Sequence, residues 1–265
     1  MATLITATIN YAARASFRQR YYANDHARDT VLVAGQAMPL ADARAEGATL
    51  AEEGFELVPH ASAVRDFEDA ADVARVHHAE IEALVQRLTG ADLVRATSPG
   101  IVRFAEASGR AGSRNNSMPA RFAHVDVTAE TAARMAVRGV PEGRVTQRSA
   151  HYNVWRAFSG APQDVPLAVC DARSVPASSL LVADAIFDEP GKPEWSFESW
   201  LVAHDPAHRW CWFPDMTRDE ALIFRTSDSA APYPVPHVAF DNPLAPAGCT
   251  PRASIEMRAV AYWFA

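Results

Sequence analysis

The sequence predicts a mainly β protein with flanking helices, its core a sandwich or a barrel, on three observations. From about residue 93 onward, short aromatic or β-branched runs follow one another, most of them bounded by Pro, Gly, Asp or Ser. The chain carries 18 prolines, many in the last third, which favour loops and short strands over long helices. Only two segments have a clear helical pattern. Strands are expected at 92–96, 100–104, 121–127, 148–158, 166–171, 179–187, 195–203, 209–213, 221–226 and 252–263. The first helix is Phe67–Leu88, where FEDAADVARVHHAEIEALVQRL places apolar residues at mixed spacings of three and four and Gly90 supplies a stop after Thr89. His77 and His78 are neighbours in it, so they face different ways and read as solvated surface residues. The second helix is TAETAARMAVRG, with Thr128 as N-cap. The 1–60 region is ambiguous, and strands in it would extend the sheet. No linker is apparent, so 1–265 reads as one domain, a mixed or helical part (1–92) packing on a β-core (93–265).

Composition narrows the function. With 265 residues, 49% of them apolar and 22% charged, a sizeable core can be buried. A net charge of −7 argues against broad attraction to nucleic acid or acidic membranes. It leaves open a small anionic substrate held in a local basic pocket. The start of the chain has no basic stretch ahead of an apolar run, and no window approaches a membrane span. Three scattered cysteines, Cys170, Cys211 and Cys249, without CxxC spacing, fit a reduced, cytoplasmic protein. Oligomeric state stays open.

The most informative segment is RFAHVDVTAET. Residues two apart on a strand share a face, so His124 and Asp126 project together while Val125 and Val127 face away. One imidazole and one carboxylate on a common wall need only one more His to make a facial two-His-one-carboxylate iron(II) site with open positions. Alone, HxD reads more readily as a structural His–Asp pair. Downstream, PHVAFDNPLAPAGCTPRASIEMRAVAYW supplies His237, and after it Arg252 and Ser254. These two share a strand face, where a guanidinium and a hydroxyl suit a carboxylate. HxD, a later His, then RxS is the sequence logic of 2-oxoglutarate oxygenases. His124, Asp126 and His237 would hold Fe(II), Arg252 and Ser254 the distal carboxylate of 2-oxoglutarate, with O2 as the second cosubstrate.

The blocks AHVDVT, NVWRAFSGAPQDVPLAVCDARSV, HRWCWFPDMTRDEALIFRTSDS, PHVAFDNP and PRASIEMRAVAYW resemble the CmcJ/AsaB-type hydroxylase/desaturase family, which includes gibberellin-desaturase-like proteins. EEGFELVPHASAVRDFED and LTGAD extend the likeness upstream, so it covers about residue 50 to the C-terminus. The resemblance implies a double-stranded β-helix (jelly-roll, cupin-like) core, iron(II) and 2-oxoglutarate, and oxidative tailoring of small molecules in secondary metabolism. It carries over to His124, Asp126, His237 and Arg252. A cupin-like metal enzyme without 2-oxoglutarate and a non-catalytic jelly-roll binding protein are the rival readings. Arg252 and Ser254 speak against the first, and the HxD…H set against the second.

The remaining blocks give finer expectations. In HYNVWRAF, Asn153 shares a face with His151 and Trp155 and is a candidate support for the cosubstrate. Arg156, on the other face, is a candidate for an acidic substrate. The loop 108–120 (GRAGSRNNSMPA and its flank) precedes the metal strand, and its Arg114 is a second candidate substrate contact. Asp171 and Arg173 are candidates for ion pairs with neighbouring strands. WSFESWLVAHDPAHRWCWFPDM reads as a hairpin turning at HDPAH. Thr217 and Glu220 have capping-box spacing. Asp228 with Ser229, or Asp241, would orient His237. Arg258 is expected to pair with Glu256 or the barrel wall.

Overall fold

The computed structural model describes residues 4–231 and 233–265. Its strands are β1 (Ile5–Ala12), β2 (Arg20–Tyr22), β3 (Val33–Asp42), β4 (Phe55–Pro59), β5 (Leu93–Ala96), β6 (Ile101–Phe104), β7 (His124–Val125), β8 (Thr146–Ala157), β9 (Leu167–Cys170), β10 (Leu180–Phe187), β11 (Trp195–Val202), β12 (Trp210–Trp212), β13 (Glu220–Asp228), β14 (His237–Ala239) and β15 (Ala253–Phe264). They form two sheets. One runs β1-β3-β12-β9-β14-β7-β11-β10-β2, the other β4-β13-β8-β15-β5, with β6 also on β15.

The ten strands expected after residue 92 are all present, within a few residues at most ends. The first 60 residues are more integrated than a cover on a β-core. β1, β2 and β3 belong to the nine-stranded sheet, and β4 to the six-stranded one. β1 alternates buried and exposed positions from Ile5 to Ile9, which is strand periodicity. The core between the sheets joins Phe55, Trp155, Leu222 and Phe224 from one side to Val169, Cys211 and Phe213 from the other. Trp210 and Trp212 point the opposite way, into a second cluster with Ile9, Tyr11 and Leu40.

The helices are α1 (Ala43–Glu46), α2 (Ala70–Asp72), α3 (His78–Thr89) and α4 (Ala129–Ala136). A π-turn over Val73–His77 joins α2 to α3, so the expected first helix is continuous but widened near its start. Gly90 ends α3 at φ 66°, where a left-handed glycine accommodates the cap. The outer face of β8, β13 and β15 packs on Ile81, Leu84 and Val85 of α3. His77 is buried rather than solvated: the widened turn rotates it inward, where Nδ1 lies 3.1 Å from Glu80. Thr128 caps α4 as expected, accepting from the Thr131 N–H.

The 195–216 segment is not a hairpin. β11 pairs with β10 and β7, and β12 with β3 and β9, so three strands separate them. The HDPAH segment is instead a crossover. It is anchored by buried His208, whose ring nitrogens each lie 3.2 Å from a hydroxyl, of Tyr11 and Ser179. Thr217 and Glu220 do close a turn, the Thr217 N–H donating to the Glu220 carboxylate at 2.8 Å. Arg173 and Asp171 pair at 2.8 Å.

Gly54 tests the packing between the sheets. Its φ is +87°, and a Cβ there would sit 2.7 Å from Val235 Cγ2 and 3.3 Å from Ala172 Cβ. Gly54→Ala therefore adds a left-handed non-glycine residue and a clash. It should cost about 2–4 kcal/mol, read as a lower urea midpoint at unchanged slope. An unshifted midpoint would show that this junction relaxes freely.

Candidate active site

His124 lies on β7 and His237 on β14, directly opposite each other in the antiparallel register. Their ring centroids are 4.3 Å apart. Asp126 immediately follows β7, two residues after His124, and its Oδ1 is 3.7 Å from His124 Nε2. The three potential ligand atoms lie within 4.8 Å of one another, and all three residues are buried. Both imidazoles are held through Nδ1: His124 donates to the Phe122 carbonyl at 3.0 Å and His237 to the Val235 carbonyl at 3.4 Å. A carbonyl can only accept, so Nδ1 carries the proton and each Nε2 keeps its lone pair for a cation. Burial, with His237 beside it, pushes the His124 pKa down to about 3. Burial likewise lowers that of His237. Both rings are thus neutral near pH 7, the form that ligates a metal.

Asp126 is fixed at both oxygens. Arg258 donates to Oδ1 at 2.9 Å and Asn153 donates to Oδ2 at 2.6 Å. Burial pushes this carboxyl up, but Arg258 and the two imidazoles outweigh it and hold it below the ordinary range. Neutral rings and an ionised carboxylate, oriented before any ion arrives, fit a divalent cation. The open sides of the constellation fit iron(II), since the three protein donors leave coordination positions for other ligands.

A small cavity continues from the triad between the sheets, lined by Arg103, Trp155, Leu167 and Arg252 among others. Arg252 is 2% exposed. Its Nη1 contacts the Ser254 hydroxyl, while Nε and Nη2 are buried without a partner. An unmet buried guanidinium is costly, and a bidentate carboxylate is the group that would satisfy it. Burial, with Arg103 and Arg121 nearby, pushes the Arg252 pKa down to about 9. It lacks an anion, and the cavity joins it to the triad, as 2-oxoglutarate requires.

Several expected contacts fall elsewhere. Asn153 meets Asp126 rather than the Arg252 cavity, because it stands at the Arg258 level of β15. Arg156 lies on the outer face of β8. Its guanidinium donates to the carbonyls of His60 and Arg218 and sits over Phe67. Strand alternation thus puts it on the face opposite Asn153 and Trp155, which line the cavities on either side of Asp126. Arg114 is exposed and pairs with Glu68 at 2.8 Å. The loop before β7 reaches the clefts through Asn115, Asn116 and Met118 instead. Asp228 pairs with Arg148 and Asp241 with Arg121, so neither orients His237, and the Val235 carbonyl does that work. Arg258 pairs with Glu256 at 3.3 Å, as expected, and its bond to Asp126 was missed. Its placement was readable, since it shares a β15 face with Arg252 and Ser254. Arg103 was not readable, because β6 carries no pattern that marks a cavity wall.

The chain matches the family described as "YDMC: Oxidoreductase/YMDC permease-like domain" over residues 9–262. Hydroxylase/desaturase efuI of Hormonema carpetanum is 31% identical over 239 residues, covering 81% of this chain and 79% of that protein. The chain belongs to this hydroxylase/desaturase family of oxidoreductases. Hydroxylase/desaturase CTB9 of Cercospora beticola is 29% identical, covering 79% of this chain and 70% of the relative. The Fe(II)/2-oxoglutarate-dependent dioxygenase nvfI of Aspergillus novofumigatus is 29% identical, covering 74% and 69%. A solved structure of the iron and alpha-ketoglutarate-dependent endoperoxidase NvfI superposes with a TM-score of 0.83 at 23% identity, over 99% of each chain. That likeness establishes the jelly-roll fold expected for a hydroxylase/desaturase. Despite "permease-like" in the family description, no helix among the described residues is long and apolar enough to cross a membrane.

The bond to Asp126 gives Asn153 a measurable role in this hydroxylase/desaturase. Asn153→Ala should weaken metal binding about 10- to 100-fold in an anaerobic iron(II) titration. Unchanged affinity would show that Arg258 alone positions the carboxylate.

Proposed function

We propose that this hydroxylase/desaturase uses iron(II), 2-oxoglutarate and O2 to hydroxylate or desaturate a small molecule of secondary metabolism, with the metal on His124, Asp126 and His237. One observation carries the reading: a cavity joins the buried triad to Arg252, whose guanidinium is buried with two nitrogens unmet. Bound there, iron(II) with its cosubstrates would supply the oxidising power to remove hydrogen from a substrate carbon as 2-oxoglutarate becomes succinate and carbon dioxide. The chain's own residues do the rest. The Phe122 and Val235 carbonyls fix the tautomer and angle of the two histidines. Asn153 and Arg258 hold Asp126 in one orientation. Arg252, with Ser254 beside it, binds the far carboxylate and so sets how 2-oxoglutarate approaches the triad. The walls between the sheets exclude water from the reacting centre.

The chain is read as a single oxygenase domain acting in the cytoplasm on a small molecule and not on nucleic acid. Three unpaired thiols and a net charge of −7 support this. The experiment is conversion of 2-oxoglutarate to succinate by the purified chain with and without iron(II). Metal-dependent succinate formation is expected, and a metal-containing protein that forms none would favour the cupin-like alternative.

A further inference from the structure

The second cleft beside the triad is large, about 880 Å³, and it opens on the far side of Asp126 from Arg252. Its axis can be read along β15. Alternate residues of that strand share a face, so Arg252, Ser254, Glu256, Arg258, Val260 and Tyr262 form one row. Ile255, Met257, Ala259 and Ala261 make the opposite row, in the core under α3. Arg252 and Ser254 stand at one end of the inward row and Arg258 touches Asp126 in the middle. Val260 and Tyr262 continue into the large cleft.

The two walls of this cleft differ in character. One is aromatic: Phe187 stacks on Trp195 at 4.3 Å between centroids and on Phe197 at 5.2 Å. Trp195 is 56% exposed and lines the cleft together with Phe187 and Phe197, a concave apolar surface of the kind that takes a ligand. The other wall carries cations at its far end. Tyr262 donates to the Ala136 carbonyl at 2.9 Å. Arg138 follows two residues after Ala136, and Arg95 on β5 lies within electrostatic reach of the same hydroxyl. A side chain at Gly139 would collide with that hydroxyl, so the Arg138 turn is packed tightly on Tyr262. Both arginines are exposed and line the cleft. Among the described residues neither is in an ion pair or a side-chain hydrogen bond. The one other acid on this lining besides Asp126 is Glu189, and Lys192 sits 2.9 Å from it. In a chain of net charge −7, this cleft end is cationic and unneutralised.

We propose that the substrate of this site is an elongated amphipathic acid. Its carboxylate, or a comparable anion, is held by Arg95 and Arg138, and its apolar body lies against Phe187, Trp195 and Phe197. Arg258 and Tyr262 are four residues apart on an extended strand, about 13 Å, and Arg95 pairs with Val260 between them. The reacting carbon therefore lies roughly 7–13 Å from the anionic group, which gives the acid a minimum length and places oxidation remote from its charge. This rests on the oxygenase reading for which end reacts, but the recognition of the anion does not.

The test is a fluorescence titration of the full chain with dansylamino-undecanoic acid and with its methyl ester, a pair of one shape that differs in charge. The acid should bind at least about tenfold more tightly, the scale of losing hydrogen bonds to a charged group. Arg95→Gln with Arg138→Gln should abolish that preference while the ester keeps its affinity, since both side chains are exposed and carry no packing. Equal binding of acid and ester, no binding of either, a preference that survives both substitutions, or an equal loss for both ligands would each overturn the proposal. Succinate formation by the unsubstituted protein, measured alongside, separates the two ideas. Its absence sinks the oxygenase reading and leaves the acid–ester comparison to be judged alone.

Discussion

Asp126→Ala is expected to lower product formation at least about a thousandfold, the several kcal/mol that a correctly ligated catalytic metal supplies. The loss should appear first in metal content, because the substitution removes the only carboxylate ligand from a buried set of three. It also removes the closer of the two carboxylate partners of half-buried Arg258, at 2.9 Å, and leaves Glu256 at 3.3 Å as the other. The variant should therefore be less stable as well, by about 1–3 kcal/mol for the lost bonds to a charged group. Asp126→Asn separates the two effects, since an amide can still accept from Arg258 through its oxygen but offers the metal no charge. Near-normal turnover in both variants would place the metal elsewhere.

How much of this site was legible depended on whether its parts lie close in sequence. His124 and Asp126 are two apart on a strand end, as are Arg252 and Ser254 on β15, and alternation alone predicts a shared face for each pair. His237 was legible only as a third ligand type in the right order. What brings it to His124 is the antiparallel pairing of β14 with β7, a contact across more than a hundred residues that no local pattern contains. The same limit explains the hairpin that is not one. The turn residues at 204–208 are real, but strand order in a jelly roll is set by which edges are already paired. Arg156 failed for a different reason. A buried arginine on a strand looks like a cavity group, yet alternation puts it on the outer face, where the His60 and Arg218 carbonyls accept from it beside Phe67. The support of Asp126 by Asn153 and Arg258 needed three elements to converge, so the sequence could offer the residues but not the bond.

Arg252→Met carries the second large effect. Removing the guanidinium should raise the 2-oxoglutarate requirement roughly a hundredfold, the scale of two charge-assisted hydrogen bonds. Arg252→Lys keeps the charge but loses the planar fork, and should fall between the two. The stability readout runs the other way. With two nitrogens unmet, Arg252 is unfavourable in the protein without cosubstrate, so an apolar replacement of similar volume should leave the melting temperature equal or higher. Added 2-oxoglutarate with metal should then raise the melting temperature of the unsubstituted protein and not that of Arg252→Met. Equal stabilisation of both would remove Arg252 from the cosubstrate site.

The most direct measurement is an anaerobic titration of the protein with iron(II) and then 2-oxoglutarate, followed by visible absorption. A chelating 2-oxo acid on iron(II) gives a charge-transfer band that neither component shows alone. The band should saturate at one iron and one 2-oxoglutarate per chain. It should be absent in His237→Ala and need far more 2-oxoglutarate in Arg252→Met. No band in a protein that binds one iron, or a band that survives His237→Ala unchanged, would contradict the assignment of this site.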